Sequence, residues 1–296
     1  MKNDVREFYD TIGWSQVDHG MYQNARYEDL RPVSQEYIHM CHLRVNRHLA
    51  PEGRYLLDAG SGPIQYDEYL TYSEGYRYRV CADMSITALR EAREKIGGHG
   101  LFVVADIADL PFKKEAFDGV VTLHTIHHLP ADEHIDAYRA LHRVLAPGRT
   151  AVVVNGWSTS ALMDPFRAFS RLRKRLWLFA RRLTGKSKIE DRRSKIVDPE
   201  EKSTYVEKHD MRWFRKTVAK EMQTEIFVWR SASVHFLKNY IFENRGGRRI
   251  LDWLYRLEEK YPRFFGEKGT YPLIVLSKHP SDSASLSDSS AEDGRQ

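Results

Sequence analysis

The first half of the chain contains five short apolar runs, most of which end in a small or polar residue. They begin at residues 55, 78, 101, 117 and 150. Apolar runs of this length, bounded by polar residues, are typical of strands buried in a parallel sheet. Helices are predicted from near Ser85 and over residues 132–145, where a Pro-Gly pair ends the second helix. The pattern predicts an α/β fold with a doubly wound sheet.

The second half becomes regular again past residue 210. A helix is predicted over 212–222 and a strand over 224–230. Helical segments follow over 234–261, interrupted by a Gly-Gly pair, and a strand over 271–277 closes the fold. The chain therefore contains seven predicted strands.

A glycine-containing turn follows the first apolar run. Gly60 and Gly62 can adopt φ angles that are closed to other residues, so the backbone can pass close to a ligand. Open α/β sheets bind nucleoside cofactors at such a turn, at the carboxyl end of the first strand. Asp83 ends the second run about 20 residues later, where doubly wound folds place a carboxylate on the ribose. Asp106 ends the third run.

Five motifs in register carry a resemblance to a known family. They are "LLDAGSGP", "VCADMS", "VVADIADLPF", "FDGVVTLHTIHHL" and "ALHRVLAPGRTAVVV", within residues 50–156. The series resembles the class I S-adenosylmethionine-dependent methyltransferases, in particular those that methylate small molecules. The resemblance implies a Rossmann-like, seven-stranded sheet whose seventh strand is antiparallel, with helical insertions after strands 5 and 6. One departure is that Pro63 and Ile64 stand where the family often has a third glycine.

The resemblance also implies S-adenosyl-L-methionine as cofactor and a set of residues that bind it. Asp83 would accept hydrogen bonds from the ribose hydroxyls, the alternative being a cap on the following helix. Asp106 would accept from the adenine amino group, the alternative being a surface carboxylate. The implied cofactor-binding residues, at the first three strand ends, are Asp58, Gly60, Gly62, Asp83, Met84, Asp106 and Ile107.

Three histidines follow the fourth run, where acceptor and cofactor should meet. A histidine has a pKa near neutrality, so it can remove a proton from a hydroxyl as the methyl group arrives. His124 is nearest the strand end and is expected to contact the cofactor, while His127 or His128 is favoured as the base. One of the three is expected to be purely structural. A metal site is disfavoured, because no third and fourth ligands are obvious.

A basic, amphipathic segment follows the fifth strand. Residues 165–195 carry twelve Lys and Arg side chains, and the acidic residues of this segment are Glu190 and Asp191. The apolar residues at helical spacing form one face: Phe169, Leu172, Leu176, Phe179, Ala180 and Leu183. Three interpretations stay open. The segment is an interfacial helix on an anionic membrane, an insertion packed on the main domain with a solvated basic face, or a site for a phosphate-rich partner such as RNA.

The domain organisation follows from these patterns. Residues 1–50 are predicted to form an N-terminal helical cap, in which Phe8, Tyr9, Asp10 and Trp14 resemble a segment that covers the cofactor; the alternative is a helix that only packs on the sheet. Residues 51–279 form the methyltransferase domain, with a basic insertion at about 157–210. Residues 280–296 are rich in Ser and Asp and are expected to be disordered.

The composition and motifs of the chain limit the expected cellular location of the protein and the classes of molecule that it is expected to bind. The start of the chain does not resemble a signal peptide, and no apolar window approaches 18 residues, which predicts a cytoplasmic or membrane-peripheral protein. The two cysteines, Cys41 and Cys81, form neither a disulfide framework nor a metal motif. The Asn/Asp-Pro-Pro-aromatic motif of enzymes that methylate base amino groups is missing, so nucleic acid is a disfavoured substrate despite the net charge of +5.

The predicted function is methyl transfer from S-adenosylmethionine to a small-molecule or lipid-linked acceptor, at oxygen, with a histidine as base. Three alternatives are C-methylation of a quinone-like ring, non-catalytic cofactor binding, and a nicotinamide-dependent oxidoreductase. The last would require G-x-G-x-x-G, and the turn lacks the final glycine. Candidates for the acceptor-site wall are Asn155, Trp157, Tyr205, His209, Asp210, Trp213 and Trp229.

Overall fold

One mixed sheet of seven strands forms the centre of the molecule. The computed structural model describes residues 7–10, 14, 16–17, 21–22, 28–183 and 205–279. The spatial order of the strands is β3-β2-β1-β4-β5-β7-β6, and β7 runs antiparallel to both of its neighbours. The α/β, Rossmann-like prediction is thereby confirmed. The strands are β1 Gly53–Ala59, β2 Tyr76–Asp83, β3 Gly100–Val104, β4 Gly119–Leu123, β5 Thr150–Val154, β6 Gln223–Arg230 and β7 Tyr271–Ser277.

Eight helices surround this sheet in the part of the chain that the structure describes. Two of them lie between β5 and β6, and three lie between β6 and β7. These are the helical insertions after strands 5 and 6 that the sequence predicted. The helices are α1 Pro32–Leu43, α2 Ile86–Ile96, α3 His134–Val144, α4 Asp164–Leu183, α5 Met211–Glu221, α6 Val234–Tyr240, α7 Gly247–Lys260 and α8 Pro262–Lys268.

Both faces of the sheet are buried, because successive side chains of a strand point to opposite faces. On one face, Leu57 and Val120 pack with Leu141 of α3 and Val218 of α5. On the other face, strand residues pack with α2 and with the 3-10 helix Asp67–Ser73. The strand order reverses between β1 and β4, and this reversal opens a crevice at the carboxyl ends of the strands.

The N-terminal fifty residues include more than helices. Gln16–Val17 pairs with Met21–Tyr22 as a short antiparallel ribbon, which the sequence did not predict. Residues 7–10 form a helical turn, and α1 continues into the 3-10 helix Arg44–His48. Arg44 anchors this region, because its Nη1 donates to the buried Glu258 Oε2 on α7 at 2.9 Å and to the Trp229 carbonyl at 2.8 Å. These contacts of Arg44 join the end of α1 to α7 and β6.

Among the described residues, the contacts that attach helix α4 to the fold lie near its start. The Phe166 ring packs on Phe236 of α6 with centroids 4.8 Å apart, and Ser170 Oγ lies 2.7 Å from Tyr240 Oη. Farther along, Phe169 and Phe179 are 56% and 62% exposed. No helix of the described ranges is both long and apolar enough to cross a bilayer. The remainder of the predicted basic segment, over 184–195, and the predicted tail over 280–296 lie outside the described residues.

Candidate active site

A cavity of about 460 Å³ opens at the carboxyl ends of the parallel strands. It brings together residues that are distant in sequence, from the glycine turn after β1, the end of β2, the turn after β3 and the histidines after β4. Of the predicted site residues, those that line it are Asp58, Gly60, Gly62, Asp83, Met84, Ile107, His124, His127 and His128.

The glycine turn has no room for larger residues. Gly60 and Gly62 have φ angles of 73° and 55°, in the left-handed region. A Cβ on Gly60 would lie 2.2 Å from the Thr125 side chain. Ile64 also has a φ of 55°, which is unusual for a β-branched residue and lies where the family's third glycine is missing. The turn thus keeps a strained backbone beside the cavity.

Asp83 connects the glycine turn to helix α2. Its Oδ2 accepts from the Gly62 N–H at 2.9 Å, and its Oδ1 accepts from the Ser85 N–H at 2.8 Å. The side chain that caps α2 is Ser85, whose Oγ accepts from the Ala88 N–H at 3.1 Å. Burial raises the pKa of Asp83 to about 6, although the two backbone hydrogen bonds oppose the rise. A carboxylate with a raised pKa therefore faces the cavity.

Asp58 is held by a residue that the sequence analysis did not identify. Arg79 of β2 donates to Asp58 Oδ2 through Nε at 3.1 Å and Nη2 at 2.5 Å, and both side chains are buried. Arg79 Nη1 also donates to the Tyr69 carbonyl at 2.5 Å. An arginine inside an apolar strand was the available signal, because a buried charge needs a partner.

Asp106 does not lie among the residues that line the cavity. Strand β3 ends at Val104, and the Asp106 carboxylate accepts from the Ala108 N–H at 2.9 Å in the turn that follows. Its neighbours Ala105 and Ile107 do line the cavity. The turn after β3 thus presents apolar side chains to the cavity.

His124 has a strained backbone at the end of β4. Its φ of 56° is uncommon for a residue with a Cβ, and its N–H donates to the Val154 carbonyl at 2.8 Å. The ring packs against Trp229 and Tyr271, with centroids 4.9 and 5.5 Å away. Burial lowers the pKa of His124 well below its ordinary value, so the imidazole is neutral.

His127 and His128 each have one ring nitrogen held by another segment. His127 Nδ1 lies 2.5 Å from Asn155 Oδ1, and His128 Nδ1 donates to the Tyr205 carbonyl at 2.8 Å. Because a carbonyl only accepts, His128 carries its proton on Nδ1, and its Nε2 accepts from the Tyr9 hydroxyl at 2.9 Å. Burial lowers the pKa of His128 to about 4 and that of His127 well below its ordinary value. Both rings are therefore neutral near pH 7.

The N-terminal segment covers one side of the cavity. Tyr9 and Trp14 line it and stack on each other with ring centroids 5.2 Å apart. Asp10 accepts from Ser85 Oγ at 2.5 Å, which ties the segment to the start of α2. Trp14 also lies against the glycine turn, since a Cβ on Gly62 would lie 3.0 Å from its ring.

Comparison with known proteins decides the class. Residues 57–153 match the family described as "Methyltransferase domain". These residues include the glycine turn, Asp83 and the three histidines. The chain therefore contains a methyltransferase domain, and its motifs and fold are those of the class I S-adenosylmethionine-dependent methyltransferases.

Solved structures share the fold of this methyltransferase at low sequence identity. Geranyl diphosphate methyltransferase in complex with GPP and sinefungin has a TM-score of 0.54 at 14% identity, over 94% of this chain and 98% of that one. Phosphoethanolamine N-methyltransferase 2 of Haemonchus contortus, with phosphomonomethylethanolamine and S-adenosylhomocysteine, has 0.53 at 13%, over 93% and 60%. Phosphoethanolamine N-methyltransferase 1 of Haemonchus contortus has 0.55 at 9%, over 95% and 50%.

The wall of the methyltransferase cavity differs from the sequence prediction. Of the candidate wall residues, Trp229 lines the cavity. Asn155 and Tyr205 instead orient histidines, and Trp157 Nε1 donates to the Gly266 carbonyl at 2.9 Å. The other three form the start of α5, where Asp210 caps the helix and the His209 and Trp213 rings stack 3.6 Å apart.

Residues that the sequence did not single out complete the wall. They include Glu28, Tyr66, Lys208, Arg230 and Tyr271. They come from five separate segments, and no spacing in the sequence predicts that these meet. Among the described residues of the methyltransferase, no group of three or more His, Cys, Asp or Glu side chains is arranged to hold a metal ion.

Proposed function

We propose that the methyltransferase transfers a methyl group to an oxygen atom of a small-molecule or lipid-linked acceptor, with His127 as the base. The observation that carries the proposal is a neutral imidazole, oriented by Asn155, in the same cavity as the glycine turn and Asp83. In this arrangement a proton acceptor and the cofactor-binding residues face one space.

The cofactor end of the cavity is assigned to the glycine turn and the residues after β2 and β3. Its residues fit S-adenosylmethionine, since the left-handed glycines present backbone rather than side chain and the Asp83 carboxylate faces the cavity. Asp83 would hold the ribose hydroxyls, and Met84 and Ile107 would contact the adenine. When bound, the cofactor supplies a methyl group activated by its sulfonium. Asp58, paired with Arg79, orders the end of β1.

The acceptor end is assigned to the histidines. With Nδ1 donating to Asn155 Oδ1, His127 keeps the lone pair of Nε2 for a proton. The proton of an acceptor hydroxyl becomes more acidic as its oxygen bonds to the methyl carbon, so a weakly basic imidazole suffices. His128 is already engaged at both ring nitrogens, by Tyr205 and Tyr9. His127 is therefore favoured over His128 as the base.

A labelled-cofactor assay tests this proposal. The protein is incubated with methyl-labelled S-adenosylmethionine and fractionated small molecules and lipids, and the labelled product is located by NMR. His127→Ala should lower transfer by about 100-fold or more, while calorimetry shows unchanged cofactor affinity. His39→Gln, at a half-exposed histidine outside the cavity, is the matched control.

Each other outcome points to a different function. Full transfer by His127→Ala would remove the histidine from the reaction. A label on a ring carbon would replace O-methylation by C-methylation. Tight cofactor binding without transfer to any fraction would favour a binding protein without turnover.

We also propose that α4 rests on an anionic membrane surface. Support comes from its exposed apolar side chains beside a run of basic ones, Arg167, Arg171, Arg173, Lys174 and Arg175. An apolar face with adjacent cations suits the boundary between lipid headgroups and acyl chains. Sedimentation with vesicles that contain phosphatidylserine tests it. Changing these five residues to Gln should abolish sedimentation, and a wild type that ignores the vesicles at low salt would make α4 an ordinary insertion.

A further inference from the structure

The two ends of the cavity differ in charge. Asp83 follows β2 at the cofactor end, whereas Arg230 ends β6 and Tyr271 begins β7 at the far end of the same sheet edge. The histidines between them are neutral, because burial lowers their pKa values. The charges of the far end therefore come from Lys208 and Arg230, opposed by Glu28.

Lys208 lies on a segment that is hydrogen-bonded to the residues after β4 and after β5. The Glu207 N–H donates to the His127 carbonyl at 2.8 Å, and the Ser158 N–H donates to the His209 carbonyl at 3.0 Å. A glycine makes room for the amine, since a Cβ on Gly156 would lie 3.0 Å from Lys208 Nζ. The backbone thus holds the lysine over the cavity and next to the candidate base.

The Lys208 ammonium has no acidic partner in the part of the chain that the structure describes. No carboxylate of residues 28–183 or 205–279 forms an ion pair with it, and Nζ lies 6.0 Å from the Tyr271 ring. Burial lowers its pKa, and the charge of Arg167 lowers it further. A partly desolvated cation of this kind is costly unless a ligand supplies the opposite charge.

Arg230 is a second cation that lines the cavity. Its Nη1 pairs with Glu28 Oε1 at 2.5 Å, and its guanidinium lies over the Tyr271 ring at 4.7 Å. Its Nε is buried without a hydrogen-bond partner among the described residues. Within the described residues, the far end of the cavity therefore has one ammonium without an acidic partner and one N–H donor without an acceptor.

We infer that the acceptor carries an oxyanion, and that Lys208 binds it at the Arg230 end of the cavity. The inference rests on the proposed function, because it places the acceptor at the histidine end. Phosphate is the oxyanion used in the test, since its three or four oxygens can accept charge-assisted hydrogen bonds from a lysine ammonium. The phosphate of a soluble metabolite and that of a lipid headgroup share this chemistry.

Calorimetry on protein saturated with S-adenosylhomocysteine tests the site. The probes are inorganic phosphate, pyrophosphate and a short-chain, water-soluble phosphatidic acid. Lys208→Met should weaken binding of each probe that binds by about tenfold or more, since a charge-assisted hydrogen bond contributes more than about 1.4 kcal/mol. Lys208→Arg should retain binding, and Lys216→Met, at an exposed lysine of α5, should leave it unchanged.

The outcomes distinguish a lipid headgroup from a soluble phosphate ester as the source of the anion. They also distinguish failure of this inference from failure of the proposed function. Tighter binding of the phosphatidic acid than of the inorganic ions assigns the site to a lipid headgroup, and the reverse assigns it to a soluble phosphate ester. Equal phosphate binding by wild type and Lys208→Met, or none by wild type, overturns the inference. So does a Lys208→Met variant that loses affinity for S-adenosylmethionine, since the lysine would then hold the cofactor carboxylate. Failure of the wild type to bind S-adenosylmethionine would instead contradict the proposed function.

Discussion

The two arginines of β2 and β6 that are buried near the cavity and the arginines of helix α4 lie in opposite environments. Arg79 and Arg230 are each about 1% exposed, and each pairs with one carboxylate at 2.5 Å. On α4, Arg167 is half-exposed and its nearest carboxylate, Asp164, lies 3.7 Å away. Buried pairs fix side-chain geometry, whereas exposed cations are hydrated and available to an outside partner. The same residue type therefore builds a site in one region and a surface in the other.

The largest effect is expected when a buried pair is broken. Arg79→Met leaves the Asp58 carboxylate buried without its partner, which should lower the free energy of unfolding by about 3–5 kcal/mol. Urea denaturation followed by circular dichroism measures this. Arg171→Met on α4 is the matched control, with an expected change within about 0.5 kcal/mol. Equal losses in the two variants would remove the contrast between the regions.

A smaller effect is expected at the cofactor end. Asp83→Ala removes the acceptor that faces the cavity, so cofactor affinity should fall by roughly 1–3 kcal/mol. Calorimetry with S-adenosylmethionine measures it. An unchanged affinity would show that Asp83 serves only the hydrogen bonds to Gly62 and Ser85.

The same carboxylate predicts a pH dependence. The pKa of Asp83 is raised to about 6, and hydrogen bonds from ribose hydroxyls favour its ionised form. Below pH 6 the cofactor must bind a largely protonated site, so affinity should fall by up to about tenfold per pH unit. Burial lowers the pKa values of the cavity histidines, that of His128 to about 4, so they contribute less to this dependence than free histidines would. Calorimetry between pH 5 and 7 should show this slope in wild type, and a slope that persists in Asp83→Asn would assign it to another group.

The smallest effect on stability is expected on α4. Phe169 and Phe179 are exposed, so replacing both by Ala should change the free energy of unfolding by less than about 0.5 kcal/mol per residue. Vesicle sedimentation of the same variant should nevertheless fall strongly, because these rings supply apolar area at the lipid interface. A large loss of stability would mean that α4 packs on the protein in solution.

The strands were predictable because both faces of the sheet are buried. The predicted strand over 271–277 has the observed bounds, and that over 224–230 begins one residue late. Asp106 shows what such a pattern leaves open. Strand β3 ends at Val104, and the Asp106 carboxylate accepts from the Ala108 N–H in the turn that follows. Its contact with the adenine amino group stays a prediction.

The sequence by itself determined the α/β sheet, the glycine turn and the methyltransferase class, because these depend on local periodicity and on motifs within about a hundred residues. Only the tertiary structure decided the partners of the charged and titratable groups. Arg79 reaches Asp58 across adjacent strands, Asn155 orients His127, and Lys208 and Arg230 both line the cavity near the Tyr271 ring. Such pairings depend on strand order and loop paths, and residues far apart in sequence carry no signal that they will touch.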